Sequence, residues 1–344
     1  MYKRQVWQDA PSLVTDIKYN SGTNGGTISF KVDKENIRQG NALIAIKDSQ
    51  NTILWSWHIW ITDENIYHTI KVTNHQNVSH DLMPIHLGWC EGEVINYAAR
   101  SCQVQFIAHG QTRLITVNQM RSTTSTQGNC TFYEWGRKDP LRPSSGYAYK
   151  NKTWYNAAGI ASTANHAVES FPFGNECIKN YIRKPDVMQK EIGGDNTYFN
   201  LWNADNNTNS NVYNDNPVTK TVYDPCPVGF AMPPSNTFTG FTTTGENVTN
   251  TVAKYNGEWI SSLPGWNFYC GPNKTGGTIF FPMTGERISS GGHLSAVGSL
   301  GHTWSATSTH SNYAHNLTLY TNYWVWPLDR FSKSAGHGVR PCLE

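Results

Sequence analysis

The chain has 344 residues, a length that allows roughly two domains and a substantial core. Twenty-seven basic against 25 acidic side chains leave a net charge of +2, and charged residues make up only 15%. That balance excludes a basic stripe for a nucleic-acid backbone, and an aromatic content of 12% excludes a disordered chain. The polar quota is uncharged: 34 Asn accompany 13 Trp and 17 Tyr, a surface suited to recognition by hydrogen bonds and ring stacking. No run of about 18 apolar residues occurs, so no direct membrane insertion is expected.

In chain order, the first 61 residues read as strands. Ile28, Phe30 and Val32 alternate with polar neighbours, residues 41–47 form an apolar run, and Asp48-Ser49-Gln50-Asn51 supplies a turn. Residues 52–61 follow as a third strand, with Trp55, Trp57, Ile59 and Ile61 expected on one face. From Thr62 onward the runs shorten and Asn and Gly become dense. Residues 66–72, 101–108 and 112–117 read as strands, and 175–184 is the moderately helical stretch. Nine Asn fall within 195–216, the composition of a solvated loop. The pattern predicts an α+β, loop-rich domain over 62–344, preceded over 1–61 by a small, incomplete β-sandwich.

Chemistry-bearing motifs are absent. There is no H-E-x-x-H, no G-x-S-x-G, no Walker loop and no G-x-G-x-x-G. The seven cysteines include no C-x-x-C pair, so neither a metal site nor a cofactor is expected, and no catalytic residue is nominated. Four patterns stand out: TFYEWGRKDP at 131–140, YDPCPVGFAMP at 223–233, the Trp304-Ser305 start of a segment of small and aromatic residues, and GHGVRPCLE at 336–344. By proline and glycine content these are structural corners. The second should be an ordered, largely buried turn, with Cys226 near the closing strand and within bonding reach of Cys342.

In combination, IYHTIKV (66–72), MPIHLGWC (83–90), YEWGRKDP (133–140), YDPCPVGF (223–230), TWSATS (303–308) and GHGVRPC (336–342) resemble the Fibrobacter succinogenes major paralogous domain. That family has a C-type-lectin-like fold and is common in surface proteins of Bacteroidales. The resemblance covers 62–344 and implies that the first and last strands of that region pair. Residues 40–60, GNALIAIKDSQNTILWSWHIW, resemble the β-sandwich of fimbrillin-like adhesins. The calcium-dependent sugar motif of such folds has no counterpart beyond Leu201-Trp202-Asn203, which lies before the proline corner.

The C-terminal stretch, about 303–342, also resembles the variable region of diversity-generating retroelement target proteins. These carry a W-S start and a G-x-x-V-R close around hypervariable positions. On that resemblance the ligand-binding residues are Thr307, Thr309, His310, Asn312, Tyr313, His315, Asn316, Thr318, Tyr320, Asn322, Tyr323, Trp324, Trp326 and Asp329, with Ala314, Leu317 and Leu319 turned inward. Tyr313, His315, Asn316, Tyr320, Tyr323, Trp324 and Trp326 are expected to be mainly exposed and contiguous. The function implied is that of an extracellular or cell-surface binding protein, an adhesin of pilus-tip type that recognises a host or bacterial glycan or protein. Its signal or lipoprotein segment is expected to be absent here, since Met1-Tyr2-Lys3-Arg4-Gln5 opens no apolar leader. The alternatives are a phage receptor-binding protein, a structural pilin subunit contacting other pilus subunits, and a polysaccharide-acting enzyme.

Overall fold

The computed structural model describes residues 2–22, 25–92, 94–125, 127–172, 174–190, 201–205, 212–309, 312–321 and 323–344. Strand accounts for 46% of the described residues and helix for 8%. The fold is β-rich, which overturns the expected α+β, C-type-lectin-like class. Among the described residues one α-helix occurs, Asn175–Arg183, beside a few 3-10 turns. The physical reason lies in residue type: β-branched and aromatic residues at period two favour strands, and Asn, Gly and Pro interrupt helices between them. The sheets are therefore covered by other sheets and by ordered loops instead of by helices.

The N-terminal region centres on the strand Gly40–Lys47, hydrogen-bonded between Tyr2–Gln8 and Ile53–Ile61. Two short strands from later in the chain, Trp154–Tyr155 and Ala161–Ser162, extend this sheet beyond Tyr2–Gln8. Ala42 and Ile44 pack with Leu13, Val14 and the half-buried Trp57, Ile59 and Ile61, as the alternation predicted. Trp55 meets different partners, Tyr223 at 6.4 Å and the Lys138 ammonium at 4.4 Å. The other face sits on the body of the molecule, where Asn41 bonds Asp9 and the Gly88 carbonyl and His58 bonds Asn41 and Tyr133.

The chain end returns to the start of the second region. Cys342–Leu343 pairs with Ser79–Leu82, which pairs in turn with Ile70–Thr73, and the Met83 and Leu87 amides donate to the Pro341 and Val339 carbonyls at 2.8 and 2.9 Å. The chain end and the first strand of the region thus share one sheet, but Ser79–Leu82 lies between them, so the expected pairing of first and last strands is not formed. On the other side of Cys342–Leu343 lies Phe230–Ala231, the exit of the proline corner. The Asp224 carboxylate accepts from the Cys226 and Met232 amides, and Lys220 Nζ donates to three carbonyls of the turn, those of Cys226, Pro227 and Phe230. The corner is ordered and largely buried as predicted, but all seven cysteines are free, so the Cys226–Cys342 bond is not formed.

The motif at 131–140 is packing too. Arg137 is buried against Glu134 and donates to the Val187 and Lys184 carbonyls, while Trp135 Nε1 donates to the Ser305 carbonyl. The main core fills the space between two sheets. Trp266, Phe268, Ile279 and Phe281 come from the strands Gly265–Gly271 and Thr275–Pro282, with Trp259 of Gly257–Ile260 half-buried against them; Leu317, Leu319, Val325 and Val248 come from the C-terminal sheet.

Candidate functional site

The C-terminal sheet runs in the order Val248–Thr249, Trp324–Ser332, Tyr313–Tyr320, Leu300–Ser308. Its register decides which predicted residues share a face. Thr318 lies opposite His302 on one side and Trp326 on the other, Tyr320 opposite Trp324, and Asn316 opposite Trp304 and Asp329. Because neighbours along a strand alternate, one face carries His302, Trp304, Asn316, Thr318, Tyr320, Trp324, Trp326 and Asp329. The opposite face carries His315, Leu317, Leu319 and Val325. As predicted, Ala314, Leu317 and Leu319 are fully buried.

The expected general exposure of the nominated set is corrected. Thr307, Thr309, His315, Asn316 and Thr318 are buried, none above 3% exposed. His315 is covered by the Tyr213 ring at 3.9 Å, and Tyr213 is anchored by its hydroxyl to the Leu328 carbonyl. The described end of the Asn-rich segment is therefore partly a cover. Asp215 within it accepts from Asn236 at 2.8 Å and lies 3.1 Å from His80. Thr309 is enclosed at the strand end, where its amide donates to the Tyr313 carbonyl. Asn312 is half-buried and Tyr313 exposed; His310 and Asn322 lie outside the described residues.

The face that carries the aromatic residues is covered at one end and open at the other. At the covered end, His337 stacks on Trp304 at 4.2 Å and on His302 at 4.3 Å, and Phe331 closes the side at 4.8 Å from His337. There Thr318 Oγ1 donates to Asp329 at 2.6 Å and lies 3.0 Å from His302 Nδ1. Burial raises the Asp329 carboxyl above its ordinary value, opposed by the Thr318 hydrogen bond, and burial pushes His302 down to about 3.

At the open end, Trp324 and Trp326 stack 4.5 Å apart and 6° from parallel, with Tyr320 4.9 Å from Trp324 and Tyr323 6.0 Å from Tyr320. Tyr323 is exposed; the other three are half-buried. Trp326 Nε1 donates to Thr249 Oγ1, and the Asn250 amide and the Tyr255 hydroxyl both hold the Tyr323 carbonyl. Four rings thus form a continuous row standing on a rigid sheet, with uncharged hydrogen-bonding residues along its margin. Such a row can pack against the apolar face of a ligand while the margin fixes its orientation.

A cavity of about 530 Å³ lies elsewhere and is lined by Asp9, Gln39, Cys90, Asn129, Ser144 and Lys152 among others. Burial pushes the Cys90 thiol up to about 12, so it is no ready nucleophile. Sequence reading missed three residues at the covered end, Glu286, His302 and His337. They are scattered over fifty positions, and the signal the sequence holds is the Gly-His pairs at 301–302 and 336–337, where the glycine beside each imidazole allows close packing.

No family model matches the chain, and neither the curated proteins nor the solved structures contain a match to it.

Proposed function

We propose that this chain is an extracellular binding protein of adhesin type that holds a neutral glycan against the row Tyr320, Trp324, Trp326 and Tyr323. The observation that carries the reading is the open end of an otherwise covered sheet face, on which four aromatic rings stand in contact. Large rings left in water on a monomer's surface are favoured where they are covered by a partner. A neutral sugar suits this margin because Thr249 and Asn250 offer hydroxyl and amide groups and no charge. Sugar C–H faces pack on rings and sugar hydroxyls replace the lost water.

The test is a glycan array with the purified chain, followed by titration of the best hit against Trp324→Ala and Trp326→Ala. Loss of at least about 30-fold in affinity in either variant, with folding retained, supports the reading. Unchanged affinity in both variants removes the row as the site. Binding to surface proteins with no glycan hit would move the ligand class to protein.

A second reading, a pilus subunit that assembles by strand addition, is favoured by one observation. The hairpin of Arg100–Ala108 and Gln111–Gln119 is exposed along its whole length, and among the described residues it pairs with no third strand. Concentration-dependent assembly that fails in a chain lacking residues 100–119 would support it.

A further inference from the structure

At the covered end of the C-terminal sheet three side chains converge whose chemistry the binding surface does not use. One nitrogen each of His302 and His337 and one carboxylate oxygen of Glu286 lie within 4.8 Å of one another. Both imidazoles are buried, at 2% and 0% exposure. His302 Nε2 and both ring nitrogens of His337 have no hydrogen-bond partner, a rare condition for polar atoms shut away from water. The rings stack face to face, 13° from parallel at 4.3 Å, so packing and not a hydrogen bond between them holds them, and one ion takes both lone pairs only when the rings turn toward it.

The Thr318 hydroxyl has one hydrogen, directed to Asp329 at 2.6 Å. Thr318 Oγ1 and Asn316 Nδ2 both lie against His302 Nδ1, at 3.0 and 3.3 Å, and Asn316 Nδ2 donates to Thr318 Oγ1 at 2.8 Å. In the tautomer that donates from Nδ1 to Thr318, the unpartnered Nε2 carries the lone pair. A carboxylate acting through a hydroxyl to orient an imidazole is the arrangement that supports metal-ligating histidines. The Glu286–His337 separation adds to this. At 3.7 Å from carboxylate oxygen to Nε2 it is too long for a hydrogen bond. Two ligands on one tetrahedral ion, each with a bond of about 2.1 Å, sit roughly 3.4 Å apart.

We propose that Glu286, His302 and His337 form a binding site for a divalent first-row transition ion, Zn²⁺ before others, which clasps three strands together. The strands are Glu286–Arg287, Leu300–Ser308 and Gly336–His337. Two imidazole donors with one carboxylate disfavour Ca²⁺ and Mg²⁺, which take oxygen ligands. To hold one ion, the widest pair must close from at most 4.8 Å to roughly 3.4 Å and the stacked imidazoles must turn out of parallel. The walls are Trp304 and Phe331, 4.2 and 4.8 Å from the His337 ring, so the ion would sit in a dry, shaped setting and act as a structural clasp. Through Thr318 the clasp also braces the strand that lies opposite Trp326.

The test uses the full chain, stripped with a chelator and titrated with Zn²⁺, with Co²⁺ as a spectroscopic substitute. Expected are one ion bound per chain at sub-micromolar Kd, a thermal midpoint raised by several degrees, and a Co²⁺ spectrum of nitrogen–oxygen ligation. Glu286→Gln, nearly isosteric, and His337→Phe, which keeps the stacked ring, should each weaken binding at least about 30-fold. His293→Ala, at an exposed imidazole, should leave it unchanged. The proposal is overturned if the wild-type chain binds no stoichiometric Zn²⁺, or if it binds equally well in folded Glu286→Gln and His337→Phe chains.

Discussion

The hairpin Arg100–Ala108/Gln111–Gln119 and the C-terminal pair Tyr313–Tyr320/Trp324–Ser332 are of similar length and are both antiparallel ribbons, yet they meet opposite fates. In the hairpin, Val104 lies opposite Ile115 and Cys102 opposite Val117, giving one apolar face. Among the described residues nothing covers it: Ile115 is 52% exposed and Phe106 53%. In the C-terminal pair, Leu317 and Leu319 face the rings of Phe238, Phe241, Phe268 and Phe281 and are completely enclosed. Alternation tells which residues share a face, but burial of that face requires another layer. The C-terminal strands receive one because the chain brings Thr275–Pro282 and the 3-10 turn Ser235–Phe241 across them. The hairpin is a local excursion whose two strands meet mainly each other, and such ribbons have little stability of their own.

The largest difference should appear on truncating Leu317. Leu317→Ala should cost about 2–5 kcal/mol in urea unfolding, because a cavity is left among rings that cannot collapse. A cost below about 1 kcal/mol would mean that the core between the two sheets is loosely packed.

Acid should separate the regions next. Burial pushes His58 down to about 3 and His166 well below its ordinary value. Between pH 6.5 and the folded pKa the unfolded chain binds more protons, so stability is lost as pH falls below 6.5. The loss should be on the order of 1 kcal/mol per pH unit for each imidazole. Urea midpoints by Trp fluorescence at pH 7.0, 6.0 and 5.0 would check it, and flat midpoints would refute it. The signal reports the covered regions, since residues 100–119 contain no Trp.

Trp324→Ala should lower ligand affinity by about 2 kcal/mol while costing only about 1 kcal/mol of stability, the worth of its stacking on Trp326 and Tyr320. If the stability cost exceeded the binding cost, the aromatic row would be packing and the comparison would lose its third category, a face covered only by a ligand. The smallest effect belongs to the hairpin. Ile115→Ala should change stability by less than about 0.5 kcal/mol. A cost above about 2 kcal/mol, growing with protein concentration, would show that a second copy covers this face in solution.

Local signals carried the element assignments. The strands at 41–47, 52–61, 101–108 and 112–117 and the helix near 175–184 follow from period and residue type, and the proline corner from fixed φ angles. The burial of Leu317 and Leu319 followed from alternation. The fold class did not, because the same motif order is carried by an architecture that uses sheets and loops where helices were expected, with Ser79–Leu82 between the first and last strands. The site was half legible. Tyr320, Tyr323, Trp324 and Trp326 are contiguous as expected, but only Tyr323 is exposed and the other three are half-buried, whereas His315, Asn316, Thr318, Thr307 and Thr309 were placed outside and lie inside.

What the sequence determined by itself is the set of residues that can share a face, since a strand alternates whatever it packs against. It also determined the stiff corners, since proline and glycine restrict or free φ locally. Only the tertiary structure decided which faces are covered, because covering layers come from distant segments: Tyr213 over His315, His337 over His302. The same holds for Glu286, His302 and His337, whose convergence exists only once three strands from different parts of the chain lie side by side.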